Sequence, residues 1–372
     1  MNDQLHVLAQ TLASSELSAY RLVAGFDGFV DEMIEVVEER QALDAHTRVP
    51  TIARFAELMA AAAGRSSLRE IVVRSQDAGG CAVNLGDGIA ALGVAVDLFA
   101  TLGDPVHKAF ASVVDVCASA TSWGSEPGRT LALEFQDGKY MLASMEQLAE
   151  IDEALLDQVL ADGRYRAACE QAGVIALTDW TLYPHMTACW AKLQREVYSK
   201  LSHRPWFFID LVDPRSRSEA DIRAMLATMR GFEDSGRCCF GGNRNEGNAL
   251  AALLGVATCD DDGPQALLDQ CAALQQALGV SQVTLHGIKV SATAGVAGAG
   301  WANGPFTPTP KKSTGAGDRF NAGYCLGLLL GLDATQRLCL GNATSGFFVR
   351  HARSATKAEL LAFIADWAAG RL

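Results

Sequence analysis

Lys311-Lys312-Ser313-Thr314-Gly315-Ala316-Gly317-Asp318-Arg319-Phe320-Asn321-Ala322-Gly323, followed by an almost wholly apolar run to Leu330, decides how this chain is read. The stretch predicts a turn that opens directly into a buried helix. Gly315, Ala316 and Gly317 carry almost no side chain, so a ligand can approach their backbone N–H groups. Those groups start a helix, where the first donors lack intrahelical partners and the dipole end is positive. That is a seat for a phosphate. Asp318 adds a carboxylate to the first turn, beside the seat. A base next to a phosphate cradle is what phosphoryl transfer to a hydroxyl requires. The plainer reading is an acid that only complements the helix dipole, and a short Gly-rich motif alone does not decide between them.

Composition narrows the field. With 372 residues, 49% hydrophobic and 20% charged, the chain is a well-cored globule. A net charge of −12 argues against nucleic acid, which needs clustered Lys and Arg on one face. It does not exclude a small nucleotide, which needs only local positive potential and a metal. The ten cysteines include no Cys-x-x-Cys and sit mostly in apolar stretches, and no histidine pair has metal-ligand spacing. The expectation is a reducing cytoplasm without disulfides or zinc. No signal peptide and no membrane-spanning apolar run is predicted.

Upstream of the glycine turn, the order of elements is that of an α/β protein. Leu5, Leu8 and Leu12 predict an amphipathic helix over residues 3–19, and Leu22–Gly25 a buried strand. That strand ends in Phe26-Asp27-Gly28-Phe29-Val30-Asp31, at the carboxyl end where such proteins bind ligands. Asp27 reads equally well as an Asx turn. Thr51–Ala63 predicts a second amphipathic helix and Ile71–Val73 a short strand. Ala78-Gly79-Gly80-Cys81-Ala82-Val83-Asn84 then enters a small-residue helix, with Asn84 offering a donor and an acceptor on its first turn. With Val94–Leu102 this gives the strand–turn–helix–strand order of a parallel sheet. Asp137-Gly138 between two apolar runs is a hairpin signal that does not belong in that sheet. It goes, with residues 31–50, into a small accessory sheet. Val174–Thr178, Phe207–Asp210, Cys238–Gly242 and Val283–Leu285 are further strands, and Asp333-x-x-Gln336 opens a last helix that carries Asn342. One domain of residues 1–372, with lid segments near 31–50 and 129–144, is preferred to two domains.

In this order the pieces resemble the PfkB (ribokinase-like) family of carbohydrate kinases, over nearly the whole chain. Ser313–Gly323 is similar to the family's C-terminal signature, Gly79-Gly80 with Asn84 to its glycine-pair signature, and Asn243-x-x-Glu246 to its magnesium and phosphate motif. Thr284-Leu285-His286-Gly287 resembles the strand end that lines the nucleotide. The resemblance implies a three-layer sandwich with a mainly parallel central sheet and a small β lid. It implies an ATP- and Mg2+-dependent transfer of the γ-phosphoryl group to a hydroxyl of a sugar or polyol. Asp318 would be the base and the amides of Gly315, Ala316 and Gly317 would hold the transferred group. Asp31, with Asp27, Gly79, Gly80 and Asn84, would hold the sugar; which aspartate is the main ligand stays open. Asn243, Thr284, Gly287, Thr314 and Asn342 would meet the nucleotide, and Glu246 the magnesium, through water. A homodimer through the lid would cover a sticky sheet edge.

Lys312 departs from the family, where an aspartate is common beside an activating monovalent cation. An ammonium has donors and no acceptor, so this departure implies a kinase independent of potassium, unless Lys312 simply points to solvent. A nucleoside or sugar-phosphate kinase and a silent sugar-binding regulator are the alternatives. No basic cluster between Leu22 and Gly93 serves a second phosphate, and a pure binder has no use for Asp318. A dinucleotide-dependent dehydrogenase fails, because no Gly-x-Gly-x-x-Gly follows the first strand.

Overall fold

The computed structural model describes residues 2–259 and 263–372. Its strands run in chain order β1 (Arg21–Phe26), β2 (Phe29–Arg40), β3 (His46–Arg48), β4 (Ile71–Gly79), β5 (Ala95–Ala100), β6 (Ser119–Ser122), β7 (Gly128–Phe135) and β8 (Gly138–Ser144), then β9 (Val174–Thr178), β10 (Trp206–Asp210), β11 (Arg237–Asn243), β12 (Gln282–His286), β13 (Val290–Gly295) and β14 (Gly300–Asn303). Nine of them form one sheet in the order β14-β13-β12-β11-β10-β9-β1-β5-β6. Pairing is parallel from β12 to β6, and only the β13 and β14 edge runs antiparallel. Runs such as Val174–Thr178, buried at every position, are what a parallel sheet covered on both faces demands. The two large apolar clusters correspond to its two covered faces. The Asn2–Ser14 helix buries Leu5, Leu8 and Leu12, as their spacing predicts, and Lys357 closes its end by donating to Ala13 O and Ser15 O.

The second sheet holds β3-β2-β7-β8, with β4 on the other side of β2. The Asp137-Gly138 signal does form a hairpin, β7 antiparallel to β8, while β7 runs parallel to β2. One expectation is corrected. The strand at Ile71–Val73 is not part of the parallel sheet; it extends to Gly79 and pairs antiparallel with β2 in the small sheet. Its largely exposed Ile71-Val72-Val73-Arg74-Ser75 segment could not fill a two-sided core, so the half-solvated sheet takes it.

The small sheet has a core of its own. Ile34, Val36, Leu133 and Phe135 pack under Ile52, Phe55 and Leu58 of the Ile52–Ala61 helix, which Thr51 caps through the Arg54 N–H at 3.1 Å. Burying one such side chain fully is worth about 1.5–3 kcal/mol. The helix therefore stabilises the sheet rather than decorating it. No disulfide joins described residues, and among them no helix is long and apolar enough to cross a membrane.

Candidate active site

The carboxyl ends of β1, β9, β10, β11 and β12 point to one region, and the small sheet reaches it through β2 and β4. Gly315 sits at φ +85, a left-handed conformation that admits the chain into the Ala316–Leu329 helix. A side chain at Gly317 would come within 3.0 Å of the His286 ring, so the close approach also needs glycine. The amides divide. Ala316 N–H donates to Ser313 O at 3.1 Å to close the turn, whereas Gly317 N–H has no backbone acceptor among the described residues. The expected seat is thus narrower than three equivalent donors, because the turn consumes the middle one. Asp318 follows on the first helical turn and accepts from Asn84 Nδ2 at 2.9 Å. Glycine turn and glycine-pair helix are joined at that bond.

Asp27 and Asp31 separate cleanly. Asp27 has no exposed surface and accepts from Ala82 N–H at 2.8 Å, from Thr178 Oγ1 at 2.6 Å and from the Cys81 N–H. It is the N-terminal cap of the Cys81–Ala90 helix, reached across Gly80, whose φ of +99 brings the chain within contact of it. The candidate sugar ligand Asp27 thus spends its carboxylate on two backbone N–H groups and the Thr178 hydroxyl. Asp31 instead lies on β2, partly open, against Gly79, whose hydrogen leaves room for the carboxylate. Its neighbours in charge include Lys312 and Asp77, and Thr130 bonds it. Lys312 does not simply face solvent: its Nζ is 3.8 Å from Asp77 Oδ2 on β4 and near the Phe348 ring.

Acid dominates the site. Burial, then the charge of Asp210, pushes Asp318 up to about 7, although its side chain is only partly buried. Burial likewise raises Asp210 to about 6, and Asp27, Asp179 and Glu246 upward as well. His286, buried among apolar groups, is lowered to about 4 and stays neutral.

A cleft of about 420 Å³ leads to Ala316 and Gly317 between walls formed by Ile288, Pro305, Phe306 and Val349. Of the residues expected to meet the nucleotide, Asn243, Gly287 and Asn342 line this cleft. Thr284 does not: its side chain is wholly buried and donates to Ala292 O at 3.2 Å, because strand alternation turns it into the core. Thr314 is exposed beside the turn and outside the cleft lining. The wall residues Pro305, Phe306 and Val349 escaped sequence reasoning; the Gly304–Pro310 loop offered only its proline content as a signal.

Asn243 and Glu246 form a reciprocal capping box: Asn243 Oδ1 accepts from the Asn245 and Glu246 N–H groups, and Glu246 Oε2 accepts from Asn243 N–H at 2.8 Å. Among the described residues no three His, Cys, Asp or Glu side chains gather to ligate a metal directly. A magnesium ion that keeps its waters and takes phosphate oxygens would need no such cluster.

Ribokinase of Arabidopsis thaliana, solved with ribose and ATP, superposes with a TM-score of 0.63 over 93% of this chain and 98% of that one, at 16% identity. A carbohydrate kinase from Agrobacterium tumefaciens gives 0.63 over 93% and 97%, also at 16% identity. The fold is the ribokinase-like one that the sequence resemblance implies, a large mainly parallel sheet with a small separate sheet as lid. The profile of the prokaryotic ketohexokinase family matches residues 5–367. A ketohexokinase from Haloferax volcanii is 32% identical over 352 residues, 93% of this chain and 91% of that protein. The chain belongs to the prokaryotic ketohexokinase family. It is an ATP-dependent sugar kinase.

Proposed function

We propose that the acceptor is a ketohexose, bound between Asp31 on the small sheet and Asn84 on the glycine-pair helix, with Asp318 as general base. The observation that carries this reading is the Asp318–Asn84 bond at 2.9 Å, made by the residue that follows Gly317 of the cleft lining. In the reaction the acceptor O–H gives its proton to Asp318, its oxygen bonds to the γ-phosphorus, and the bond to the ADP oxygen breaks. Phosphoryl transfer is chiefly positioning and charge stabilisation, so these few groups suffice. Gly317 N–H and the helix start favour the charge on the transferred group. Magnesium, when bound with ATP, neutralises phosphate charge; Glu246 would orient one of its waters while Asn243 holds the helix start.

The small sheet would shut water out, since water otherwise takes the phosphate. Pairing of two chains through that sheet is supported by the exposed Tyr140, Met141 and Leu142 of its edge strand β8. A second phosphate on the acceptor is disfavoured, because the cations acting on Asp31 are already paired: Lys312 faces Asp77, and Lys139 faces Glu134. Pure protein with ATP and magnesium is to be offered ketohexoses, aldohexoses, sugar phosphates and nucleosides, with ADP as readout. Turnover is expected for a ketohexose. Faster turnover of a nucleoside or a sugar phosphate would replace this reading, and ATP binding without turnover of anything would make the protein a regulator.

A further inference from the structure

Asp210 ends β10 with only 6% of its surface exposed, and no residue of opposite charge pairs with it among the described residues. One carboxylate oxygen accepts from Val212 N–H at 3.0 Å; the other accepts from Asn321 Nδ2 at 2.6 Å. Asn321 is itself 1% exposed and stands three residues after Asp318, on the same face of the same helix. Because a carboxylate only accepts, the amide must turn its NH2 to Asp210, and its Oδ1 is left without a protein partner. An unpaired buried acceptor is costly. The arrangement gives that up to fix an anion next to the turn that carries Asp318.

We propose that Asp210 is a positioning residue for the transfer step: pinned by Asn321, its negative charge holds Asp318 ready to accept the hydroxyl proton. This rests on the reading of Asp318 as the base. Asp210 is tied to Asn321, one helical turn from Asp318, and a like charge near a carboxylate makes it a stronger base. The surroundings leave Asp210 that role. Asp27 and Asp179, on the neighbouring strand ends, are turned to backbone N–H groups, and Glu246 to Asn243. Arg319 is drawn away by Asp87 at 2.7 Å. His286 is held neutral, and the Cys81 thiol is pushed up by burial.

The test is the pH profile of kcat at saturating ATP and sugar for wild type, Asp210→Asn, Asp213→Asn and Asp318→Asn. Wild-type kcat is expected to fall as pH drops below about 7. In Asp210→Asn that acid limb should lie about one pH unit lower, the size expected for loss of one close like charge, and the plateau should fall a few-fold because the base is weaker. Asp213, exposed and paired with Arg215 on the same loop, should leave the limb where it is. An unmoved limb in Asp210→Asn, or an equal move in Asp213→Asn, overturns the proposal. Near wild-type kcat in Asp318→Asn instead removes the base reading beneath it. Should Asp210→Asn not fold, carboxyl-carbon NMR of the wild type decides. The Asp318 resonance is identified by its loss in Asp318→Asn, and a midpoint near the ordinary carboxylate value of about 4 refutes the proposal.

Discussion

The nucleotide side and the sugar side of this site are built in opposite ways. The nucleotide cleft belongs to one body: its walls come from the β12–β13 turn, the Gly304–Pro310 loop and the helices of the large sheet. The sugar side is shared. Asp31 and Asp77 ride on the small sheet, Asn84 and Asp318 on helices of the large one, and the seam is bridged by Lys312 at 3.8 Å. A cleft on one body can be formed before its ligand arrives, whereas a site across two bodies is completed when they meet. On the proposed reading, selectivity for the sugar depends on how the sheets come together, and affinity for ATP does not.

Asp318→Asn tests the joint itself and should have the largest effect. Loss of a positioned base predicts a kcat reduced by at least about 10²-fold with ATP affinity intact. The same substitution has a sign in stability. A carboxylate whose folded pKa is raised to about 7 contributes stability that is present below its unfolded value and lost as pH rises through the folded one. The variant without sugar should therefore melt above wild type at pH 8, and the gap should close towards pH 4. An unchanged difference across that range refutes the assignment of the shift.

Next in size is the pair of aspartates. Asp31→Ala should raise the sugar KM and depress kcat/KM without lowering the melting temperature, as a specificity site that leaves hydroxyls unpaired does. Asp27→Ala should lower the melting temperature first, since it uncaps the Cys81–Ala90 helix and strands Thr178. Exchange of the two outcomes would move the sugar to the other side of Gly80.

Glu246→Gln sharpens the contrast from the nucleotide side. It should demand more magnesium for half-maximal rate and leave the sugar KM alone, with high magnesium restoring part of the rate. A raised sugar KM at an unchanged magnesium titration would take Glu246 out of the metal's surroundings and leave it a helix cap.

The smallest effect belongs to the seam. An exposed ion pair at this distance is worth about 0–1 kcal/mol, so Lys312→Met should raise the sugar KM by no more than a few-fold. With a fixed cation already there, turnover should be similar in potassium, sodium and tetramethylammonium salts at matched ionic strength. Saturable activation by potassium alone would remove Lys312 from that role.

What could be read from the residues, and what could not, follows the range of the forces involved. The glycine turn, the Asp333 cap, the Asp137-Gly138 hairpin and the wholly buried strands are written in local chemistry, and the structure has them where the sequence puts them. The partner of β4 is not local: Ile71–Val73 has the same appearance whichever sheet receives it, and only the polar residues up to Asp77 hint at the outcome. Asp27 and Asp31 are both acids beside a glycine, and their separate duties arise from a helix that starts fifty residues later. Thr284 turns into the core, because a motif names a segment while the alternation of the strand decides which way each side chain faces. Asp210 could be seen as a strand-end acid, but its bond to Asn321 spans 111 positions and left no trace in spacing.

The helix that roofs the small sheet has a mechanical consequence. Because Ile34, Val36, Leu133 and Phe135 are sealed beneath Ile52, Phe55 and Leu58, the sheet carries its own stiffening rib and need not borrow rigidity from the sugar. It can swing as a plate rather than melt and re-form. Backbone amides in the middle of β2 should then resist hydrogen exchange equally well with the sugar absent, so that the entropy of closing is that of one hinge rather than of a refolding sheet.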